Sequence, residues 1–119
     1  MREANSEIMS IAQIETGLGV ENADGIAAVE GIDTLLVGPN DLSIDLGIPG
    51  DLMNPIETNA ITKVVEACKK HGKFFCLAGG AALMEYFRSD MDFIMRGMDT
   101  DILASGFASI RKYADERQQ

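Results

Sequence analysis

The stretch TLLVGPNDLS, residues 34–43, decides the fold. Thr34 to Val37 is a short apolar and β-branched run, the composition of a strand. Gly38-Pro39 stops it and forces a sharp turn. Two polar residues, Asn40 and Asp41, follow at once. They stand at the C-terminal end of the strand, which is where parallel α/β folds place their working residues.

Upstream, residues 8–15 (IMSIAQIE) read as another strand, apolar on both faces as a helix-covered parallel strand should be. Gly17 and Gly19 break it. A weak helix is expected over 22–29, with Asn22 as N-cap and Gly25 where a capping-box Glu would help. Gly31 ends it. Downstream, 40–53 reads as a long irregular stretch containing Gly47, Pro49 and Gly50. Asn54-Pro55-Ile56-Glu57 is then a strong helix start, with a cap, a proline at the first position and an acid at the third. Ile56, Ala60, Val64 and Cys68 form its apolar stripe, and Gly72 closes it after Lys69-Lys70-His71. FFCLA at 74–78 is a third strand, 81–88 a short helix and 91–95 a fourth strand. Thr100 should cap a last helix over 101–116, with Ile102, Leu103, Phe107, Ile110 and Tyr113 among its apolar positions. Strict β-α alternation of this kind predicts an α/β fold with one parallel sheet and a single domain over 1–119.

Length and charge narrow the function. At 119 residues the chain is too short for a complete eight-stranded barrel, which takes at least ~200. Its net charge is -9. Residues 1–59 hold 11 acids and one base, Arg2, and no Lys or Arg occurs between Glu3 and Thr62. Such a field argues against nucleic acid and anionic membranes, and is compatible with cation binding. No apolar run approaches a membrane span, and MREANSEIMS lacks a secretory core. Cys68 and Cys76 fit neither a CxxC nor a zinc spacing, so two buried free thiols in a reducing cytoplasm are expected.

Two of the four strand ends carry a carboxylate directly after an apolar run: Glu15 and Asp41. Neighbouring parallel strands are about 4.8 Å apart, so both could reach one divalent cation. Hard oxygen ligands suit Mg²⁺ or Mn²⁺ better than Zn²⁺. The alternative is that Glu15 caps the next helix and Asp41 makes an Asx turn. Gly17-Leu18-Gly19 is not a dinucleotide fingerprint, because Asn22 stands where the third glycine belongs. His71, the only histidine, falls at the opposite end of the sheet from the strand ends that would react. Asp99 and Asp101 favour the start of the last helix, and Gly79-Gly80 either turns the chain or admits a ligand to the backbone.

Taken together, Gln13-Ile14-Glu15-Thr16, Gly19-Val20-Glu21-Asn22, Gly31-Ile32-Asp33 and Val37-Gly38-Pro39-Asn40-Asp41-Leu42-Ser43 resemble the HpcH/HpaI aldolase family. Asp45-Leu46-Gly47, His71-Gly72-Lys73 and Gly97-Met98-Asp99-Thr100 agree with it. The resemblance implies half of a TIM (β/α)8 barrel, βα units five to eight, in a protein that cleaves 4-hydroxy-2-oxo acids to pyruvate and an aldehyde. It implies Glu15 and Asp41 as the metal ligands, for Mg²⁺ or Mn²⁺ with Co²⁺ as a third candidate. It implies Gln13, Gly38, Asn40 and Asp41 around the substrate, the backbone amides of Asn40 and Asp41 on the pyruvate carboxylate, and Leu77 or Ala78 at the substrate wall. The family's catalytic His and Arg belong to the other half of the barrel, so no further catalytic residue is expected here. A homo-oligomer, at least a dimer, is implied, with the last helix packed on a neighbouring barrel. The alternatives are an inactive half-barrel serving assembly, a citrate-lyase-like or malyl-thioester-lyase-like enzyme, and a receiver domain. The last lacks the acidic pair and Lys-Pro end such a domain needs.

Overall fold

The computed structural model describes residues 7–116, so Arg2 lies outside the described residues. Four strands form one parallel sheet in the order β1-β2-β3-β4: β1 Ile11–Ile14, β2 Thr34–Val37, β3 Phe74–Ala78 and β4 Phe93–Met95. The helices between and after them are α1 Gly17–Glu21, α2 Ala23–Ala27, α3 Pro39–Asp45, α4 Pro55–His71, α5 Ala81–Tyr86 and α6 Asp99–Glu116. This is the α/β class that strict alternation predicts.

Side chains alternate along each strand, so the register sorts them into two faces. Ala12, Ile14, Leu35, Val37, Phe75 and Leu77 share one face. Ile14, Leu35, Val37, Phe75 and Leu77 belong to the buried core with Val20, Ala27, Leu42, Ile61, Val64 and Leu83 from the helices. The other face carries Ile11, Gln13, Leu36, Phe74, Cys76 and Met95. No helix covers it. Leu36 and Cys76 are hidden by their neighbours, but Ile11, Phe74 and Met95 are exposed.

The main helix forms as its signals dictate. Asn54 Oδ1 accepts the Ile56 amide at 3.0 Å, Pro55 occupies the first position, and Gly72 ends the helix in the left-handed region at φ 64°. Its core stripe keeps Ala60, Val64 and Cys68 as expected and differs at the first turn. Ile56 is exposed, and Glu57 is fully buried in line with Ile61, Val64 and Cys68.

Several expectations are corrected. The chain turns helical directly after β1, where Gly17 and Gly19 suggested a break, because the Thr16 hydroxyl accepts the Gly19 amide at 3.0 Å and caps α1. Asn22 therefore ends α1 and gives α2 no side-chain cap. The stretch after Gly38, expected to be irregular, begins with α3. Pro39 stops the strand and also starts the helix, since its fixed φ suits the first helical turn. Strands β1 and β4 are shorter than expected, and α6 begins at Asp99 with Thr100 inside its first turn.

Candidate functional site

The C-terminal ends of β1 and β2 meet through one bond beyond the strands. The Gly38 amide donates to the Ile14 carbonyl at 3.1 Å. That bond sets Glu15 beside Gly38, on the uncovered face, in line with Gln13. A Cβ at position 38 would lie 2.9 Å from Glu15 Oε1, 3.0 Å from its Cγ and 3.3 Å from Gln13 Nε2. Glycine is needed here for space, its φ of -97° being open to any residue. The Glu15 carboxylate thus rests against the bare end of β2, in room that any side chain would take.

Gln13 Nε2 donates to Glu15 Oε1. The sequence suggested Gln13 as a substrate contact; the structure shows it holding Glu15. The signal was present, since residues two apart on a strand share a face. Glu15 is half-buried, whereas Asp41 is exposed on the first turn of α3, three residues beyond Gly38. The α3 turn is tied down by Ser43, whose buried hydroxyl donates to the Asn40 carbonyl at 2.7 Å and accepts the Gly50 amide at 3.1 Å. By helix geometry the amides of Asn40 and Asp41 have no carbonyl partner within α3.

Leu77, expected at the substrate wall, is fully buried in the helix-side core. Period-two alternation turns it away from the uncovered face. Ala78, the other residue named for the wall, lies on that face and is half-buried. With Asn40, Gly79, Gly80, Met95 and Asp101 it lines a cavity of about 330 Å³ across the ends of β3 and β4.

His71 stays at the far end of the sheet. Its Nε2 lies 2.9 Å from Asp24 Oδ1, and Lys70 Nζ lies 2.8 Å from the same oxygen. These hydrogen bonds, first from Lys70 and then from His71, hold the Asp24 carboxyl below its ordinary range. Asp99 accepts the Thr100 amide at 2.8 Å and serves the start of α6. Among the described residues no three of His, Cys, Asp and Glu converge on one point. A cation here would take two carboxylate ligands, with the other positions left to water or substrate oxygens. That all-oxygen donor set, with Glu15 seated against Gly38 and oriented by Gln13, fits a hard divalent ion.

The model of the HpcH/HpaI aldolase/citrate lyase family matches residues 1–105. A 4-hydroxy-4-methyl-2-oxoglutarate aldolase of Hapsidospora irregularis is 41% identical over 101 residues, 81% of this chain and 37% of that protein. A 5-keto-4-deoxy-D-glucarate aldolase of Salmonella paratyphi C is 36% identical over 115 residues, 95% of this chain and 44% of that protein. Among solved structures, an HpcH/HpaI aldolase from Desulfitobacterium hafniense superposes with a TM-score of 0.84 at 33% identity, covering 97% of this chain and 46% of that one. The citrate synthase SbnG superposes with a TM-score of 0.82 at 30% identity, covering 100% of this chain and 50% of that one. The chain thus spans less than half the length of these curated relatives, and its four βα units correspond to about half of a TIM-barrel protein.

Proposed function

This chain belongs to the HpcH/HpaI aldolase/citrate lyase family, and from that premise we propose that it supplies the metal-binding half of an aldolase site. The reaction is cleavage of a 4-hydroxy-2-oxo acid to pyruvate and an aldehyde, or its reverse. The observation that carries the proposal is the Glu15 carboxylate, held by Gln13 in the room left by the missing Cβ of Gly38, one short turn before Asp41. The substrate class is supported by the names of the two aldolase relatives.

In this reading Glu15 and Asp41 hold the cation, Mg²⁺ or Mn²⁺ with Co²⁺ as a third candidate. When bound, the cation supplies Lewis-acid stabilisation of negative charge on the substrate's oxygens. The chain's own residues orient and enclose. Gln13 fixes one oxygen of Glu15, so the carboxylate is presented in one orientation. The amides of Asn40 and Asp41 donate to the substrate carboxylate, on a turn kept rigid by Ser43. Ala78 bounds the cavity where Leu77 was expected to. The base for the 4-hydroxyl proton and the arginine opposite the developing charge belong, by resemblance, to the other half of the barrel.

In this reading the 119 residues are one C-terminal half-barrel, units five to eight. The partner surfaces are the unpaired edges of β1 and β4, the uncovered sheet face, and α6. Every described residue of α6 up to Asp115 is exposed, including Ile102, Leu103, Phe107, Ile110 and Tyr113. The edges and the uncovered face meet the other half of the barrel, and α6 packs on a neighbouring copy in a homo-oligomer. The free, buried Cys68 and Cys76 suit a cytoplasmic enzyme, and no helix among the described residues is long and apolar enough to cross a membrane. A thioester or citrate-type substrate is the second reading, favoured by the likeness to the citrate synthase SbnG.

The test is release of pyruvate from a 4-hydroxy-2-oxo acid by the full-length protein with Mn²⁺. Glu15→Ala should abolish it. Full activity in that variant would remove Glu15 from the site, and cleavage of a malyl or citryl thioester in place of the oxo acid would favour the second reading.

A further inference from the structure

Glu57 is the third residue of α4, and its side chain has 0% exposure. Neither carboxyl oxygen has a hydrogen-bond partner among the described residues. A glutamate at this helix position commonly reaches back to the cap residue's amide, but the Asn54 amide is already donated to the Asp51 carbonyl at 3.0 Å. Glu57 instead joins the stripe that faces the sheet, with Ile61 and Val64 at 0% and Cys68 at 1% exposure.

The position along α4 follows from its other end. Cys68 Sγ donates to the Phe74 carbonyl at the start of β3. Eleven residues earlier, roughly 16 Å along the helix, Glu57 lies at the C-terminal ends of the strands. That is the end that carries Glu15 and Asp41, but on the opposite, helix-covered side of the sheet. There α3 packs on α4.

We propose that Glu57 is held in the fold as a neutral carboxylic acid, and that its ionisation is a proton-linked release of the first turn of α4 from the sheet. An unpaired carboxylate cannot stay in that stripe without a partner or water, so losing the proton must open the packing around it.

The charges on the packed elements do not compensate it. From α1 and α2 come Glu21 and Asp24, both exposed, with Asp24 engaged by Lys70 and His71 at the far end of α4. From α3 come Asp41 and Asp45, also exposed, with Asp45 accepting the Gly17 amide. The packed strands β2 and β3 bring only Cys76, which lies on the other face of the sheet. On α4 itself Lys63, Glu66, Lys69 and Lys70 are all exposed. Burial alone pushes the Glu57 carboxyl up to about 7.

The sign follows from proton counting. Between the ordinary glutamate value of 4.5 and about 7, the folded chain binds more protons than the unfolded one. Stability is therefore full below that window, is lost as pH rises through it, and stays at its reduced level above it. The unfolding constant should rise within the window by up to about tenfold per pH unit.

The experiment compares denaturant unfolding of the full-length protein with that of Glu57→Gln and Glu57→Leu from pH 5 to 8. The wild type should lose stability relative to both variants up to pH 7 and then run parallel to them. Parallel profiles throughout would overturn the proposal. If a variant fails to fold, the carboxyl carbon shift of Glu57 in the wild type decides alone. A midpoint above pH 6 supports a stored neutral acid, and a midpoint near 4.5 overturns it.

Discussion

Gly38 is a residue whose missing atom is its function. The space it leaves is filled by the Glu15 carboxylate, held there by Gln13. Gly38→Ala should therefore push Glu15 aside without straining the backbone. We expect cation affinity to fall by about 10- to 100-fold, the range for disturbing a ligand's support, with the melting temperature little changed. Calorimetric titration with Mn²⁺ alongside thermal unfolding separates the two effects. Gln13→Ala should act in the same direction, because it frees Glu15 to rotate. At this scale the sequence was legible where spacing speaks: both carboxylates follow an apolar strand. It was less legible where a side chain's direction matters. Leu77 and Ala78 are neighbours, and only the register shows that Leu77 points into the core and Ala78 into the cavity. The thiols are a further check. Burial pushes Cys68 up to about 11 and also raises Cys76, so neither should react with a thiol reagent at pH 8 until the protein unfolds.

Elements were most legible where several local signals agreed. For α4 the cap, the proline, the basic last turn and the closing glycine all pointed to the same span, and β3 was bounded by Gly72-Lys73 before it and Gly79-Gly80 after it. The errors came from residues with two roles. Gly17 and Gly19 read as breakers, but Thr16 caps the turn they occupy, and Gly19 sits where a Cβ would press on Ile14 and Thr16 at 3.3 Å. Pro39 read as a stop, but a proline that ends one element can begin the next. Thr16→Ala should remove one satisfied amide and cost about 1 kcal/mol, measurable by denaturant titration. Because α1 follows Glu15 directly, the same variant should also weaken Mn²⁺ binding; an unchanged affinity would separate the cap from the site.

On the scale of the whole molecule, the open sheet dominates. The accessible surface is 8276 Å², where a folded monomer of this mass exposes roughly 6,300 Å². The radius of gyration is 18.1 Å, against about 13.5 Å for a compact chain of this length. The uncovered face, the two sheet edges and α6 contribute to this exposure, as expected of a unit equal to half of its structural relatives. The number of βα units and their parallel order were legible from alternation. Which surfaces stay bare was not, because hydropathy marks Ile102, Phe107 and Ile110 as apolar whether their partner is this chain or another. Phe107→Asp should lower the oligomeric state of the full-length protein, read by light scattering. An unchanged mass would exclude α6 from the interface.

The central claim is that Glu15 and Asp41 hold one divalent cation. Mn²⁺ binding followed by electron paramagnetic resonance, on the full-length protein with pyruvate present, tests it most directly. One bound Mn²⁺ per chain is expected, lost in Glu15→Ala and in Asp41→Ala while the circular dichroism spectrum stays that of the wild type. Wild-type Mn²⁺ affinity in both folded variants would contradict it.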